Sequence, residues 1–148
     1  MSLEEKISAD IKAAMLAREK EKLEALRAVK SAVLLAKTEK VGAELSVDIE
    51  LKLLQKLVKQ RRESAEIYIQ QNRPELAESE TFQADIIEKY LPEQLSPDEV
   101  RVVLREIASE LGVVSVKDMG KVMGAASQRL AGRADGKLIS TLVKEILS

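Results

Sequence analysis

From Leu3 to Leu147 the apolar residues of this chain return every three or four positions. That period lines up one side of a helix that turns once per about 3.6 residues, whereas a half-buried strand would alternate at every second residue. The closing segment states the pattern most clearly, with Leu138, Ile139, Leu142, Val143, Ile146 and Leu147. Six glycines and three prolines are all that punctuate 148 residues, and one Phe with two Tyr leaves little for the aromatic faces that sheets use. Hydrophobic residues make up 45% of the chain, enough for a core, and charged residues 33%, which implies much exposed helical surface. The expected fold class is all-α.

Local signals divide the pattern into helices. Ser2, with Glu5 three residues on, can cap a first helix that carries Leu3, Ile7, Ile11, Ala14 and Met15. Polar Arg18 to Lys22 turns the chain into a second, with Leu23, Leu26, Val29, Val33 and Ala36 inward and Gly42 to end or bend it. Ser46 caps a third, where Leu54, Val58, Ala65 and Tyr68 share a face with Arg61. Asn72-Arg73-Pro74 breaks that helix, and Pro74 suits the first turn of a fourth because its missing N–H is not needed there. Phe82, Ile86 and Tyr90 are expected along its inner side. Leu91 to Pro97 holds two of the three prolines and is the best domain boundary. Ser96, Pro97 and Glu99 open a fifth helix striped by Val100, Val103, Ile107 and Leu111, and Gly112 stops it. Ser115 with Asp118 caps a sixth that buries Val116, Met119, Val122, Met123, Ala126 and Leu130, with Gly132 closing it. Asp135 caps the seventh. The expected layout is an N-terminal bundle of about four helices over residues 1–92 and a compact three-helix subdomain over 96–148.

Several classes of function are excluded. Without Cys there is no disulfide and no thiolate metal site, and without His the usual general base at neutral pH and the commonest metal ligand are missing. No P-loop and no metal-ligand spacing occurs, Ser64 has neither a Gly-rich elbow nor a His partner, and no Gly/Ser-rich segment suits a Ser-Ser-Lys amidase. No cofactor is expected. No apolar run approaches the roughly 20 residues that span a bilayer, and the acidic start Ser2-Leu3-Glu4-Glu5 lacks a signal-peptide core. A cytoplasmic location is expected. Net charge is −1, but the charge is zoned. Lys52 to Arg73 carries six bases against two acids, Glu75 to Glu99 eight acids against one base, and Val113 to Ser148 six bases against three acids.

Four segments in order, Lys59-Gln60-Arg61-Arg62-Glu63-Ser64, Tyr90-Leu91-Pro92-Glu93-Gln94-Leu95, Asp118-Met119-Gly120-Lys121-Val122-Met123-Gly124 and Gly132-Arg133-Ala134-Asp135-Gly136-Lys137, resemble the YqeY-like family over nearly the whole chain. The part from Ser96 to Ser148 also resembles the tail domain of the GatB subunit of tRNA-dependent amidotransferase, which carries a similar Gly-x-x-Met-Gly, then Gly-x-Ala-Asp, then a short last helix. That tail helps to hold the tRNA whose misacylated Glu or Asp is amidated. The resemblance implies a tRNA-binding module, associated at family level with carbon–nitrogen ligation using glutamine as amide donor. It does not imply catalysis, because the resemblance reaches neither the kinase-like domain that activates the carboxylate nor the amidase subunit.

The residues themselves narrow the contacts. Gly120 and Gly124 lie one turn apart in a helix, where each costs about 1 kcal/mol against alanine. Close packing of another helix is the favoured reason, and close approach of an RNA backbone the alternative. The turn from Gly132 to Lys137 leads into a helix N-terminus, which favours an anion unless Asp135 takes the N–H groups itself. Lys121, Arg129, Arg133, Lys137 and Lys144 are the expected phosphate contacts, with Lys59 and Arg62 as a second basic group. Arg61, on the apolar face, is expected to pair with an acid of the fourth helix such as Glu80. The C-terminal third has no Phe, Tyr or Trp, so backbone and shape recognition of a structured RNA fits better than base stacking. A protein partner, met through the acidic Glu75–Glu99 stretch or the long bundle, is the alternative to tRNA.

Overall fold

The computed structural model describes residues 2–39 and 45–148. Gly42, read above as an end or bend, lies outside the described residues. Among the described residues every regular element is helical: α1 (Leu3–Ala17), α2 (Lys20–Glu39), α3 (Val47–Gln70), α4 (Pro74–Glu88), α5 (Pro97–Leu111), a single 3₁₀ turn (Val116–Asp118), α6 (Met119–Arg129) and α7 (Gly136–Leu147). The chain divides into two compact units, Met1–Leu91 and Pro92–Ser148.

In the first unit the helix starts follow local chemistry. Ser2 Oγ accepts the Glu5 N–H at 3.2 Å, Ser46 Oγ accepts that of Ile49 at 3.3 Å, and Pro74 opens α4 without wasting a donor. Ile7, Leu26, Val29, Leu54 and Ile87 are wholly buried or within 1% of it, and each such side chain contributes roughly 1.5–3 kcal/mol by leaving water. The helix α4 lies against both α2 and α3. It therefore buries two sides, with Ala77, Ala84 and Ile87 on one and Ile86 on the other. Phe82, expected inside, sits a turn before Ile86 and stays 40% exposed. Met15, in the last turn of α1, is also exposed, at 54%. Polar links tie the helices: the Lys37 ammonium lies 2.5 Å from Glu4 Oε2, and the Tyr90 hydroxyl donates to Asp10. Burial pushes the Tyr90 phenol well above its usual range, and the Asp10 carboxylate adds to the effect.

In the second unit α5 carries a complete capping box. Ser96 Oγ accepts the Glu99 N–H at 3.2 Å, and Glu99 Oε1 accepts the Ser96 N–H at 3.1 Å. Gly112 ends α5 in the left-handed region at φ 66°, which a side chain would strain. Leu104, Ile107, Val122, Leu130, Leu142 and Val143 form the core among α5, α6 and α7. Ser115 does cap, but it caps the 3₁₀ turn by accepting from Lys117 N–H at 3.1 Å. Val116 belongs to that turn and not to the buried stripe of α6, and is 48% exposed. The side chains of Asp118 and Asp135 make no cap hydrogen bond to α6 or α7. Gly132 stands three residues beyond the end of α6, buried in the α6–α7 turn at φ 74°.

The segment before α5 is fastened to that same turn. Gln94 Nε2 donates to the Gly132 carbonyl at 2.6 Å and to the Pro92 carbonyl at 2.9 Å. The Leu95 N–H donates to the Arg133 carbonyl at 2.9 Å, and Arg133 Nε donates back to the Glu93 carbonyl at 3.3 Å.

Candidate functional site

The glycine pair of α6 gives the sharpest test of the two reasons offered for it. A Cβ built on Gly120 or on Gly124 would meet nothing within 4 Å. No described helix packs there. With Val122 and Ala126 turned inward, the opposite side of α6 presents Gly120, Gly124 and Ser127 to solvent. The favoured expectation, close packing of another helix, is therefore corrected: the face is flat because it lacks side chains, and it is open.

Cations border this face. Lys121 is exposed and lies 4.0 Å from Asp118, a contact worth little across water. Lys117, one turn earlier, is exposed and forms no ion pair among the described residues. It was not among the expected contacts. The only signal for it in the sequence was its place three residues before Gly120.

The α6–α7 turn adds a second group. Arg133 is held through Nε to the Glu93 carbonyl, so its terminal nitrogens stay outside that bond. Lys137 is exposed in the first turn of α7, where the N–H groups of the helix start meet no side-chain cap. Lys144 follows seven residues later, two turns along the same side and about 10 Å away. Neither lysine forms an ion pair among the described residues. The expectation that Asp135 caps α7 and competes with an anion gives way here, since its side chain accepts none of the cap N–H groups.

Three expected contacts are placed differently. Arg129 donates to Glu110 Oε2 of α5 at 2.8 Å, a hydrogen bond that with Glu110 and Glu106 raises its pKa further. Arg62 donates to Asp85 Oδ1 at 3.0 Å and to Glu88 Oε2 at 2.8 Å. Burial alone would loosen its proton, but these bonds outweigh that and hold it more firmly. Lys59 is exposed on α3 in the first unit, away in sequence from the α6–α7 group. The pairing expected for Arg61 is made by its neighbour instead: Arg61 donates to Gln83 Oε1 at 3.1 Å and to the Leu57 carbonyl at 3.1 Å, and Arg62 takes the acids of α4. No group of three or more Asp and Glu among the described residues is arranged to hold a metal ion. No described helix is long and apolar enough to cross a membrane.

The model of the Yqey-like protein family matches residues 4–147. Two fungal proteins named altered inheritance of mitochondria protein 41, mitochondrial, are similar over most of the chain. That of Clavispora lusitaniae is 29% identical over 125 residues, covering 84% of this chain and 71% of that protein. That of Pyrenophora tritici-repentis is 28% identical over 145 residues, covering 96% and 79%. A shorter stretch of 54 residues is 44% identical to one subunit of the glutamyl-tRNA(Gln) amidotransferase of Thermococcus gammatolerans, covering 34% of this chain and 9% of that protein.

Proposed function

The chain belongs to the Yqey-like protein family, and on that premise we propose that it is a tRNA-docking accessory protein whose second unit meets the RNA backbone. It works beside glutamine-dependent amide transfer and carries none of that chemistry itself. The observation that carries the reading is the open glycine face of α6 bordered by exposed lysines. Two helical glycines are unfavourable by about 1 kcal/mol each, and nothing among the described residues uses the space they leave. A sugar–phosphate backbone can lie against such a face, with Lys121, Arg133, Lys137 and Lys144 on its phosphates and the first N–H groups of α7 on one more. The similarity to an amidotransferase named for glutamyl-tRNA(Gln) supports tRNA as the RNA. Arg129, Arg62 and Lys59 rank below the other four. The first two are engaged by carboxylates, and Lys59 stands on the first unit. A cytoplasmic site of action belongs to the proposal; the mitochondrial location in the names of the fungal relatives is theirs.

Filter binding of bulk tRNA at low and moderate salt tests this. Binding at low salt is expected, with log affinity falling against log salt at a slope of about −3 for four phosphates. Changing Arg133 and Lys137 together to Glu should weaken it at least tenfold. No binding at low salt, or no loss in the double variant, overturns the reading. A stable partner recovered by pull-down and insensitive to nuclease would favour the protein-interaction alternative.

A further inference from the structure

The segment Pro92–Leu95 reads as a linker in sequence, but in the fold it is a strap over the α6–α7 turn. We infer that Gln94 is a positioning residue: from this strap it fixes the Gly132–Arg133 turn so that the Arg133 guanidinium faces solvent, ready for a phosphate. The inference rests on the RNA-docking reading given above.

Four hydrogen bonds define the device. The Gln94 amide is anchored at its own end to the Pro92 carbonyl, 2.9 Å away, and reaches across to the Gly132 carbonyl at 2.6 Å. One residue on, the Leu95 N–H takes the Arg133 carbonyl at 2.9 Å. Arg133 Nε then returns to the Glu93 carbonyl at 3.3 Å. Two consequences follow from the chemistry. Both turn carbonyls are occupied by N–H donors, so their negative ends point into the strap and away from an approaching anion. The guanidinium, a planar fork of five donors, is anchored through one nitrogen while its two terminal nitrogens form no hydrogen bond among the described residues.

The neighbouring carboxylate is also accounted for. Glu99 is near enough to feel the charge of Arg133, but its Oε1 is committed to the Ser96 N–H in the capping box. An arginine beside a free carboxylate would close into an ion pair, as Arg129 does with Glu110. Arg133 instead stays open, and the strap holds it there. Gln94 itself contacts no phosphate in this arrangement. Its effect passes through Arg133.

The test uses the full chain with Gln94→Glu, Gln94→Leu, Arg133→Glu and the double variant Gln94→Leu with Arg133→Glu. Glutamate keeps the shape of Gln94 and loses the donor, but adds a negative charge; leucine loses the donor without one. Each Gln94 single variant should weaken tRNA binding fivefold to tenfold at low salt and reduce the salt slope by about one phosphate. Helical circular dichroism should be unchanged, and exchange of the Leu95 amide should speed up at least tenfold. The double variant should bind no more weakly than Arg133→Glu alone, because the two residues act in series. If the wild type binds tRNA and Arg133→Glu weakens it while both Gln94 variants bind normally, the strap is overturned and the docking reading stands. Additive losses in the double variant overturn it as well. A wild type that binds no tRNA overturns both.

Discussion

The first unit, Met1–Leu91, holds sixteen Lys and Arg against seventeen Asp and Glu, and the second, Pro92–Ser148, eight against eight. The charge balance is nearly equal, and both units hold paired and unpaired cations; what differs is where the unpaired ones gather. Arg61 and Arg62 cross from α3 to α4, and Lys37 crosses from α2 to α1. These side chains join long helices to each other. In the second unit Lys117, Lys137 and Lys144 form no ion pair among the described residues, and the Arg133 guanidinium donates through Nε to a backbone carbonyl. Ion pairs cross between helices in the second unit too, Arg129 to Glu110 and Arg101 to Glu145, and the first unit has lysines such as Lys12, Lys30 and Lys56 with no ion pair among the described residues. Position, and not net charge, sets the second unit apart: its unpaired cations stand beside the α6 glycine face and at the α6–α7 turn.

The largest expected effects test whether the two cores stand on their own. Leu54 in the first unit and Leu104 in the second are both wholly buried. Truncating either to alanine should remove about 2–5 kcal/mol, from lost transfer energy plus the cavity left behind. Native-state amide exchange should show Leu54→Ala loosening α2, α3 and α4, and Leu104→Ala loosening α5, α6 and α7. Equal loosening of both units by either change would show one cooperative core and dissolve the contrast.

Glycines sharpen the contrast within the second unit. Gly124→Ala sits in helical backbone with open space around it and should stabilise by about 1 kcal/mol. Gly132→Ala meets a backbone at φ 74° and should destabilise by about 1–2 kcal/mol. Thermal unfolding gives the opposite signs directly. On the docking reading Gly124→Ala raises the melting temperature and still weakens tRNA binding. A stabilised variant with unchanged binding would remove the glycine face from the interface.

Legibility in the sequence followed the range of the interaction. Ser46, Pro74, Ser96 and Gly112 act within a turn of themselves, and their chemistry showed at once. The apolar stripes fixed the all-α class because the core needs them every three to four residues. Partners across the fold were not legible. Arg61 was expected to pair with an acid of α4 such as Glu80, but it is Arg62 that pairs with α4, through Asp85 and Glu88. Helical phase over a 24-residue helix gives a face but not which of two adjacent side chains reaches the acids of α4. Gly120 and Gly124 marked a bare stretch of helix but not whether another helix covers it, and no described residue does. Gln94 was unreadable, since its partner carbonyl lies 38 residues away.

The role of Arg62 predicts a smaller effect. Its side chain is 40% exposed, so its two ion pairs are screened by water, and Arg62→Ala should lower stability of the first unit by at most about 1 kcal/mol. Binding of tRNA should stay within twofold of wild type, whereas Arg133→Ala should weaken binding severalfold at nearly constant stability. A urea titration alongside filter binding separates the two, and a tRNA defect in Arg62→Ala would return that residue to the interface.

Acid gives the smallest and most specific comparison, because one carboxylate in each unit responds in the opposite sense. Burial in the first unit raises the pKa of Glu50 from 4.5, with Glu4 adding to the rise and Lys37 opposing it. The folded state binds that proton more tightly than the unfolded chain, so Glu50 weakens the fold at neutral pH. The penalty fades as pH falls through its folded pKa toward 4.5. Glu99 is the reverse. The Ser96 backbone N–H, then the Ser96 hydroxyl, hold its pKa below 4.5. Its contribution is whole above 4.5 and is lost as pH falls through the folded value. Stability measured from about pH 7 to about pH 3 should therefore show Glu50→Gln above wild type at neutral pH and converging with it in acid. Glu99→Gln should lie below wild type at neutral pH and also converge, but in a window lying below 4.5. If both differences converge in the same pH window, the capping-box carboxylate is not held as described, and the electrostatic distinction between the units loses its clearest sign.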